Sequence, residues 1–304
     1  MYAVELKNIV KKYTTKKSSV TAVDNVSFDV EEGELFGLIG PDGAGKTSIF
    51  RILTTLILSD EGSAKVLGYD VVNDWKEIRS IIGYMPGRFS LYQDLSVEEN
   101  LEFFATIFNT TIEENYELVE DIYKQLEPFK KRRAGKLSGG MKQKLALCCA
   151  LIHKPQILFL DEPTTGVDPV SRKDFWEMLK RLKAQGITIL VSTPYMDEAN
   201  LCDRIALIQN AKILQIDNPQ NIINRFDKNL FAVKSESMFK LLNDLRSFPL
   251  TKSCYAFGEN HHLTLEGENI NELEDYLKKI GHRNFIINKI NPSIEDCFIK
   301  LMKN

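Results

Sequence analysis

Residues 40–47 read GPDGAGKT, so three glycines stand just ahead of a Lys-Thr pair. The run follows an apolar segment, Glu34–Gly40, and opens a segment of helix-forming residues, Lys46–Ile57. It matches G-x-x-x-x-G-K-[ST], in which glycines let backbone amides wrap around phosphate oxygens. Lys46 is expected to reach the β- and γ-phosphates, and the Thr47 hydroxyl to bind Mg²⁺. The sequence therefore predicts a nucleotide site at residues 40–47, the phosphate loop. A Gly-rich turn with an incidental Lys-Thr pair is the weaker interpretation.

The segment Ile157–Pro163, ILFLDEP, is an apolar strand that ends in two carboxylates. Asp161 is expected to hold Mg²⁺, directly or through water. Glu162 is expected to lie beside the γ-phosphate and to polarise the attacking water. An acidic strand end alone is a common loop feature, so its specificity comes from the phosphate loop upstream.

A third motif, LSGGMKQ at Leu137–Gln143, combines a serine N-cap, two glycines and an amphipathic helix. The N-terminus of such a helix is a second potential anion site, because its first amides lack intrahelical partners. Taken alone, the motif would indicate only a capped helix after a loop.

Together these motifs resemble those of the ATP-binding subunits of ABC transporters. GPDGAGKT is similar to their Walker A motif, LFLDEP to Walker B and LSGGMKQ to the signature motif. TGVD, which ends at Asp168, resembles the D-loop, and Tyr13 lies where these proteins stack an aromatic ring on adenine. The resemblance covers about residues 2–220. GYMP, DEAN and the C-terminal SIEDCFIKL further resemble ABC-2-type, multidrug-like exporters.

The resemblance implies a mechanism in which two such domains close head to tail around two ATPs. Each ATP would be held by the Walker motifs of one chain and the signature of the other, and closure would drive a separate polytopic permease. Glu162 would be the catalytic residue, with Thr47 and Asp161 as Mg²⁺ ligands. The expected ATP-binding residues are Tyr13, Gly40, Pro41, Asp42, Gly43, Ala44, Gly45, Lys46, Thr47 and Ser48. The expected contacts to the partner's nucleotide are Ser138, Gly139, Gly140 and Met141.

Two positions depart from the family pattern. The family's lid-loop Gln, which contacts Mg²⁺ and the lytic water, is replaced by Gly87, and Gln93 is a weak substitute. The family's switch His is replaced by Pro194, which has neither a polar side chain nor an amide hydrogen. We therefore expect Mg·ATP binding with slow hydrolysis at the chain's own site. Since the signature is complete, a heterodimer with an intact second ABC domain is favoured over a homodimer.

The resemblance and the coarse pattern predict an α/β fold in two domains. Residues 1–220 are expected to form a P-loop NTPase, ABC-type nucleotide-binding domain. Its core would comprise residues 1–86 and 155–220, and residues 87–154 would form an inserted helical subdomain. Residues 221–304 are expected to form a small C-terminal α+β module with a regulatory or dimerisation role.

Local signals refine this picture. Ser96 with Glu99, and Ser293 with Asp296, are spaced as helix N-caps. The order βαββαβα from Leu230 onward indicates a split-βαβ, ferredoxin-like module. Four lysines are expected in a solvated loop: Lys11, Lys12, Lys16 and Lys17.

Composition limits the remaining possibilities. The 304 residues include 39 Lys and Arg against 42 Asp and Glu, which argues against a dedicated nucleic-acid binder. The longest apolar run, Leu145–Ile152, is far short of the ~18 residues that a membrane span needs. Glu5 and Lys7 make a signal peptide unexpected, and five cysteines without CxxC spacing indicate free thiols. The chain is expected in the cytoplasm, peripheral on the cytoplasmic face of the membrane.

Three functions follow from this reasoning. The energy-coupling subunit of an exporter is favoured, with ATP and Mg²⁺ as cofactors and a permease that selects the cargo. A soluble ABC ATPase acting on nucleic acid or ribosomes is the second possibility. A non-hydrolysing ATP-binding regulatory module is the third.

Overall fold

The computed structural model describes residues 1–15, 18–226, 229–267 and 269–302. They divide into two compact units, one reaching Pro219 and one beginning at Gln220. Among these described residues, no helix is both long and apolar enough to cross a membrane.

The first unit alternates strands and helices. Its strands in chain order are β1 (Tyr2–Thr14), β2 (Ser19–Glu31), β3 (Leu35–Ile39), β4 (Glu61–Val66), β5 (Tyr69–Asp70), β6 (Ile82–Met85), β7 (Ile157–Asp161), β8 (Thr188–Thr193), β9 (Arg204–Gln209) and β10 (Lys212–Asp217). Its helices are α1 (Lys46–Leu53), α2 (Trp75–Ile81), α3 (Val97–Ile107), α4 (Tyr116–Leu126), α5 (Gly139–Leu151) and α6 (Pro169–Ala184), and α7 (Pro219–Asn224) spans the boundary.

A mainly parallel sheet forms the centre of this unit. Its strand order is β10-β9-β3-β8-β7-β6, and only the β10–β9 pair is antiparallel. Every residue of β3, β7 and β8 is buried, which explains why these strands read as continuous apolar runs. The carboxyl ends of neighbouring parallel strands meet at one edge of the sheet. The phosphate loop after β3, Asp161 at the end of β7 and Thr193 at the end of β8 are therefore brought to the same edge.

A second, antiparallel sheet has the order β2-β1-β4-β5. The expected solvated loop at Lys11 and Lys12 is wrong, because both residues lie in β1. Asp60 holds them there: its carboxylate accepts from Lys11 Nζ at 2.9 Å and from the Lys12 backbone N–H at 2.5 Å. Lys16 and Lys17 lie outside the described residues.

Residues 97–151 are mainly helical, as expected. The predicted capping box is confirmed: the Ser96 hydroxyl accepts from the Glu99 backbone N–H, and the Glu99 carboxylate accepts from the Ser96 backbone N–H. One helix bound differs from the prediction, and one helix was not predicted. The helix after the phosphate loop ends at Leu53 rather than at residue 57, because Thr55 adopts a φ of +61° that a helix does not tolerate. The short helix α2 was not expected.

The second unit has the expected element order βαββαβα. Its elements are β11 (Leu230–Lys234), α8 (Met238–Ser247), β12 (Thr251–Phe257), β13 (Asn260–Leu265), α9 (Ile270–Lys279), β14 (Ile286–Lys289) and α10 (Ile294–Leu301). All strand pairs are antiparallel, in the order β12-β13-β11-β14. The apolar faces of α8 and α9 pack on this sheet through one buried cluster.

A buried carboxylate ties α10 to this sheet. Asp296 is fully buried, and it accepts hydrogen bonds from His262 Nδ1 at 2.6 Å, the Tyr255 hydroxyl at 2.7 Å and the Ser293 backbone N–H at 2.7 Å. Burial by itself raises the pKa of Asp296, but the hydrogen bonds from His262 and Ser293 outweigh it and hold the pKa below the usual aspartate value. The predicted Ser293–Asp296 cap is therefore confirmed. The same Asp296 carboxylate also binds β12 through Tyr255 and β13 through His262.

Candidate functional site

The phosphate loop connects β3 to α1 along a path that requires glycine. Gly45 has a φ of +110°, and a methyl group built there would lie 2.2 Å from the Ala22 carbonyl oxygen. A methyl group at Gly40 would lie 2.2 Å from the Ile208 carbonyl oxygen. Gly45 is also the N-cap of α1, and because it has no side chain it makes no capping hydrogen bond. The first amides of α1 are therefore open to an external anion.

The Lys46 ammonium has three partners. Its Nζ lies 2.7 Å from the Gly40 carbonyl oxygen, 3.0 Å from that of Pro41 and 3.0 Å from Glu162 Oε1. The Lys46 side chain is only 2% exposed, whereas Glu162 is 21% exposed. A buried ammonium needs such partners, because an uncompensated charge in the interior is strongly unfavourable.

Asp161, at the end of β7, is buried beside two hydroxyl groups. Its Oδ1 accepts from Ser192 Oγ at 2.7 Å, and the Thr47 hydroxyl also hydrogen-bonds the carboxylate. Burial raises the pKa of Asp161 above its usual value, and the two hydroxyls oppose that shift. A carboxylate and a threonine hydroxyl side by side form the kind of oxygen donor set that suits Mg²⁺.

Glu162 lies at a backbone turn. It adopts a φ of +51°, a conformation that costs a non-glycine residue roughly 1–2 kcal/mol. The Ser192 carbonyl and hydroxyl oxygens accept from the Glu162 backbone N–H at 3.1 and 3.0 Å. This turn reverses the chain at the strand end and directs the carboxylate to Lys46. Sequence reasoning missed Ser192; its position directly before Thr193-Pro194 was the available signal.

A cavity of about 210 Å³ lies over these groups. It is lined by Ala22, Gly43, Gly45, Lys46, Thr47, Ser48 and Glu162. Tyr13, near the end of β1, lies beside it, because its hydroxyl is 3.2 Å from Ser48 Oγ, and the ring remains 39% exposed.

Three further residues of the phosphate loop, Pro41, Asp42 and Ala44, differ in their contacts and exposure. The Pro41 carbonyl accepts from Lys46 and from the Ala44 backbone N–H. Ala44 is buried, and Asp42 is exposed. Of the predicted loop residues, Gly43, Gly45, Lys46, Thr47 and Ser48 line the cavity, and Tyr13 contacts one of them, Ser48.

The signature segment lies apart from this cavity. Ser138 caps α5 by accepting from the Met141 backbone N–H at 3.4 Å. A methyl group at Gly140 would lie 2.8 Å from Ser171 Oγ, so this glycine permits close packing on the start of α6. Ser138 and Gly139 are exposed. Among the residues that the structure describes, none of Ser138–Met141 lines the cavity.

Asp168 is the N-cap of α6. Its carboxylate accepts from the backbone N–H groups of Val170 at 3.1 Å and Ser171 at 3.0 Å, and the hydrogen bond from Ser171 is the largest cause of its lowered pKa. Because Pro169 has no amide hydrogen, it fits the first helical position, and the helix begins there.

Gly87 and Pro194, the two positions expected to depart from the family pattern, lie near different strand ends. A methyl group at Gly87 would lie 3.0 Å from the Asp161 carbonyl oxygen and 3.7 Å from its Oδ2, so a side chain there would begin beside Asp161. Gln93 lies in the turn before α3, where its carbonyl accepts from the Gly135 backbone N–H at 2.9 Å. Pro194 directly follows Thr193, whose carbonyl accepts from the Gly40 backbone N–H at 3.2 Å.

The parallel sheet, the glycine-dependent loop at its edge and the Lys46, Thr47 and Asp161 groups define a P-loop nucleotide-binding domain. A family model described as ABC transporter matches residues 23–165. The chain is 38% identical over 285 residues to the probable multidrug ABC transporter ATP-binding protein YbhF of Escherichia coli K12. It is 39% identical over 224 residues to the Nod factor export ATP-binding protein I of Rhizobium sp. strain N33. The chain therefore belongs to the family of ABC transporter ATP-binding proteins.

These matches differ in extent. The YbhF match covers 92% of this chain but only 49% of YbhF, so the chain spans about half the length of that relative. The Nod factor export protein match covers 73% of this chain and 72% of the relative. Among solved structures, the dimeric ATP-binding cassette MJ0796, bound to ADP and Pi in a post-hydrolysis state, superposes with a TM-score of 0.64 at 26% identity. That likeness covers 71% of this chain and 98% of the cassette.

Two glycines of the phosphate loop offer a matched test of its geometry. Both Gly43 and Gly45 have positive φ, but a methyl group at Gly43 meets nothing within 4 Å, whereas one at Gly45 meets the Ala22 carbonyl. Gly43→Ala should cost about 1–2 kcal/mol of unfolding free energy, from backbone strain alone. Gly45→Ala should cost about 3 kcal/mol or more, because the loop must also move away from β2. Urea unfolding measures both; equal losses would contradict this reading of the loop.

Proposed function

We propose that this chain is the ATP-binding, energy-coupling subunit of an ABC-type membrane exporter. The observation that carries the proposal is the cavity over Lys46, in which a buried ammonium, the open amides of α1 and the Thr47 hydroxyl face one volume. These groups match the charge and the acceptors of a triphosphate. The relatives' names, which specify multidrug transport and Nod factor export, support the exporter class for this chain. In this proposal the permease selects the cargo.

In this proposal each motif has one task. Lys46 and the loop amides bind the β- and γ-phosphates, and Tyr13 supports the adenine. Thr47 and Asp161 would hold Mg²⁺, which supplies charge neutralisation at the phosphates when it is bound. Glu162 accepts a proton from the attacking water. Its carboxylate has to leave Lys46 to do so, because the two are paired at 3.0 Å.

We further propose that the signature acts on a nucleotide held by a partner domain. Ser138 and Gly139 are exposed at the start of α5, whereas the chain's own cavity is lined by other residues among those described. A head-to-tail pair would supply the missing donors to each cavity. The dimeric form of the MJ0796 cassette supports a pair of this kind.

The chain's own site is proposed to hydrolyse ATP slowly. Gly87 lies beside Asp161 and has no polar side-chain atom. Pro194, which follows β8, has none either. Glu162 is then left to orient water without the two groups that normally assist it. A heterodimer with an intact partner would keep one fast site and one slow site.

Single-turnover hydrolysis by the purified chain tests this point. The double variant Gly87→Gln with Pro194→His should raise the rate about 10-fold or more, because each residue restores a polar group at the reacting end of ATP. Glu162→Gln should abolish the residual rate while leaving the affinity for Mg·ATP within about threefold. A wild-type rate equal to that of the double variant would refute the slow site.

The remaining assignments are architectural. Residues 1–220 are proposed as the cassette, with residues 87–154 as its helical subdomain, and residues 221–304 as a regulatory or dimerisation module. The strand order of the second unit, with β11 between β13 and β14, supports a ferredoxin-like class. A peripheral position on the cytoplasmic face of a membrane follows from the proposed permease.

Affinity isolation from detergent-solubilised membranes separates the function classes. A tagged chain should co-purify a polytopic membrane protein and a second ABC domain, and the yield should not change after nuclease treatment. A Ser138→Arg variant should lose the second ABC domain, because its side chain fills the space needed by the partner's phosphates. Recovery of RNA or ribosomes in place of a membrane protein would favour a soluble ABC ATPase and contradict the exporter proposal.

A further inference from the structure

A second buried carboxylate lies behind the nucleotide site, at Glu198. This residue belongs to a short 3₁₀ segment, Met196–Leu201, that follows β8. It is only 2% exposed, and both carboxylate oxygens are occupied. Oε1 accepts from the Thr164 hydroxyl at 2.9 Å, and Oε2 accepts from the Thr193 hydroxyl at 2.5 Å.

An arginine completes the cluster. Arg172 Nε lies 3.4 Å from Glu198 Oε1, and its other end binds exposed Asp197 at 2.7 Å. The guanidinium also lies over the Tyr195 ring, 4.4 Å from its centre. Glu198 therefore has the hydrogen bonds and the cation that a buried, ionised carboxylate requires.

The three partners of Glu198 come from three different parts of the site. Thr164 lies two residues after Glu162, on the segment that leads to Asp168. Arg172 lies on α6, the helix that Asp168 caps. Thr193 ends β8, and its carbonyl accepts from the Gly40 backbone N–H at the start of the phosphate loop. A single carboxylate thus connects the segment after Glu162, the first turns of α6 and the end of β8, which in turn bonds the phosphate loop at Gly40.

We propose that Glu198 is a positioning residue for ATP hydrolysis, which sets residues 164–168 at a fixed spacing from Thr193 and Gly40. The inference rests on the proposed function. Glu198 acts on the turn at Glu162 through Thr164, whose hydroxyl it binds. The next residue, Thr165, donates its backbone N–H to the Glu162 carbonyl at 3.2 Å. Pro194, which follows β8, has no polar side chain. Glu198 instead links the end of β8 to the segment after Glu162, through the hydroxyls of Thr193 and Thr164.

The location of the carboxylate separates this role from plain core packing. A packing residue at this position would need only volume, and an apolar side chain would supply it. Glu198 instead bonds two hydroxyls on separate segments, so Glu198→Gln, which keeps one accepting oxygen and replaces the other by an amide donor, leaves one hydroxyl without its acceptor while the side chain keeps its volume. Loss of the link should therefore act on the geometry of residues 162–168 more than on global stability.

The test uses the full chain with Glu198→Gln, Thr164→Val and Asp197→Asn. The last is the matched control, because Asp197 binds the same Arg172 but neither threonine. Glu198→Gln should lower the single-turnover rate about tenfold, with the dissociation constant for Mg·ATP changed by less than about threefold. Thr164→Val should act in the same direction with a smaller effect, and it carries the test if Glu198→Gln does not fold. Asp197→Asn should match the wild type.

The lowered rate at nearly unchanged affinity is the readout that a merely structural role would not give, and amide hydrogen exchange measured without nucleotide shows whether the effect on the fold is local. Glu198→Gln should accelerate exchange in residues 163–168 and 193–196 and leave α1 unchanged. Uniform acceleration across the first unit, or a wild-type rate and exchange pattern in both variants, would overturn the inference. Failure of the proposed function would differ, since the wild-type chain would then neither bind nor turn over Mg·ATP.

Discussion

The structure depends on one buried positive charge. The Lys46 side chain is 2% exposed, and its ammonium is held by two backbone carbonyls of the phosphate loop and by the Glu162 carboxylate. Those carbonyls can reach it only because the loop folds back tightly, and the loop can do so only because Gly40 and Gly45 leave space for the Ile208 and Ala22 carbonyls. The burial of this charge therefore depends on the two glycines, and the neighbouring strands are what require glycine at those positions.

The parallel sheet brings other predicted site residues to the phosphate loop. Since β3, β7 and β8 end at the same edge, Lys46, Asp161 and Thr193 converge although they are far apart in sequence. Ser192 then fixes the Asp161 carboxylate and the Glu162 amide from the neighbouring strand end. A bound triphosphate would bring negative charge to the ammonium that Glu162 now occupies. In the proposed function, nucleotide binding and release of Glu162 would be linked through the same lysine.

Sequence alone could predict the parts of this arrangement that depend on local rules. The phosphate loop, the acidic end of β7 and both capping boxes follow from short-range spacing, and the element order of the second unit follows from periodicity. The contacts of Ser192, Glu198 and Arg172 could not be predicted, because they join segments whose proximity is set by sheet order. The end of α1 at Leu53 was also missed, since a left-handed Thr55 has no sequence signature.

Calorimetric titration of Mg·ATP tests the central claim most directly. Lys46→Ala should weaken binding by about 100-fold, which corresponds to about 2.7 kcal/mol, because the γ-phosphate loses its buried cation. Lys180→Ala, which removes an exposed lysine paired with Glu177 on α6, should bind as the wild type does. If the wild-type chain gives no binding heat, or if Lys46→Ala binds with unchanged affinity, the account is contradicted.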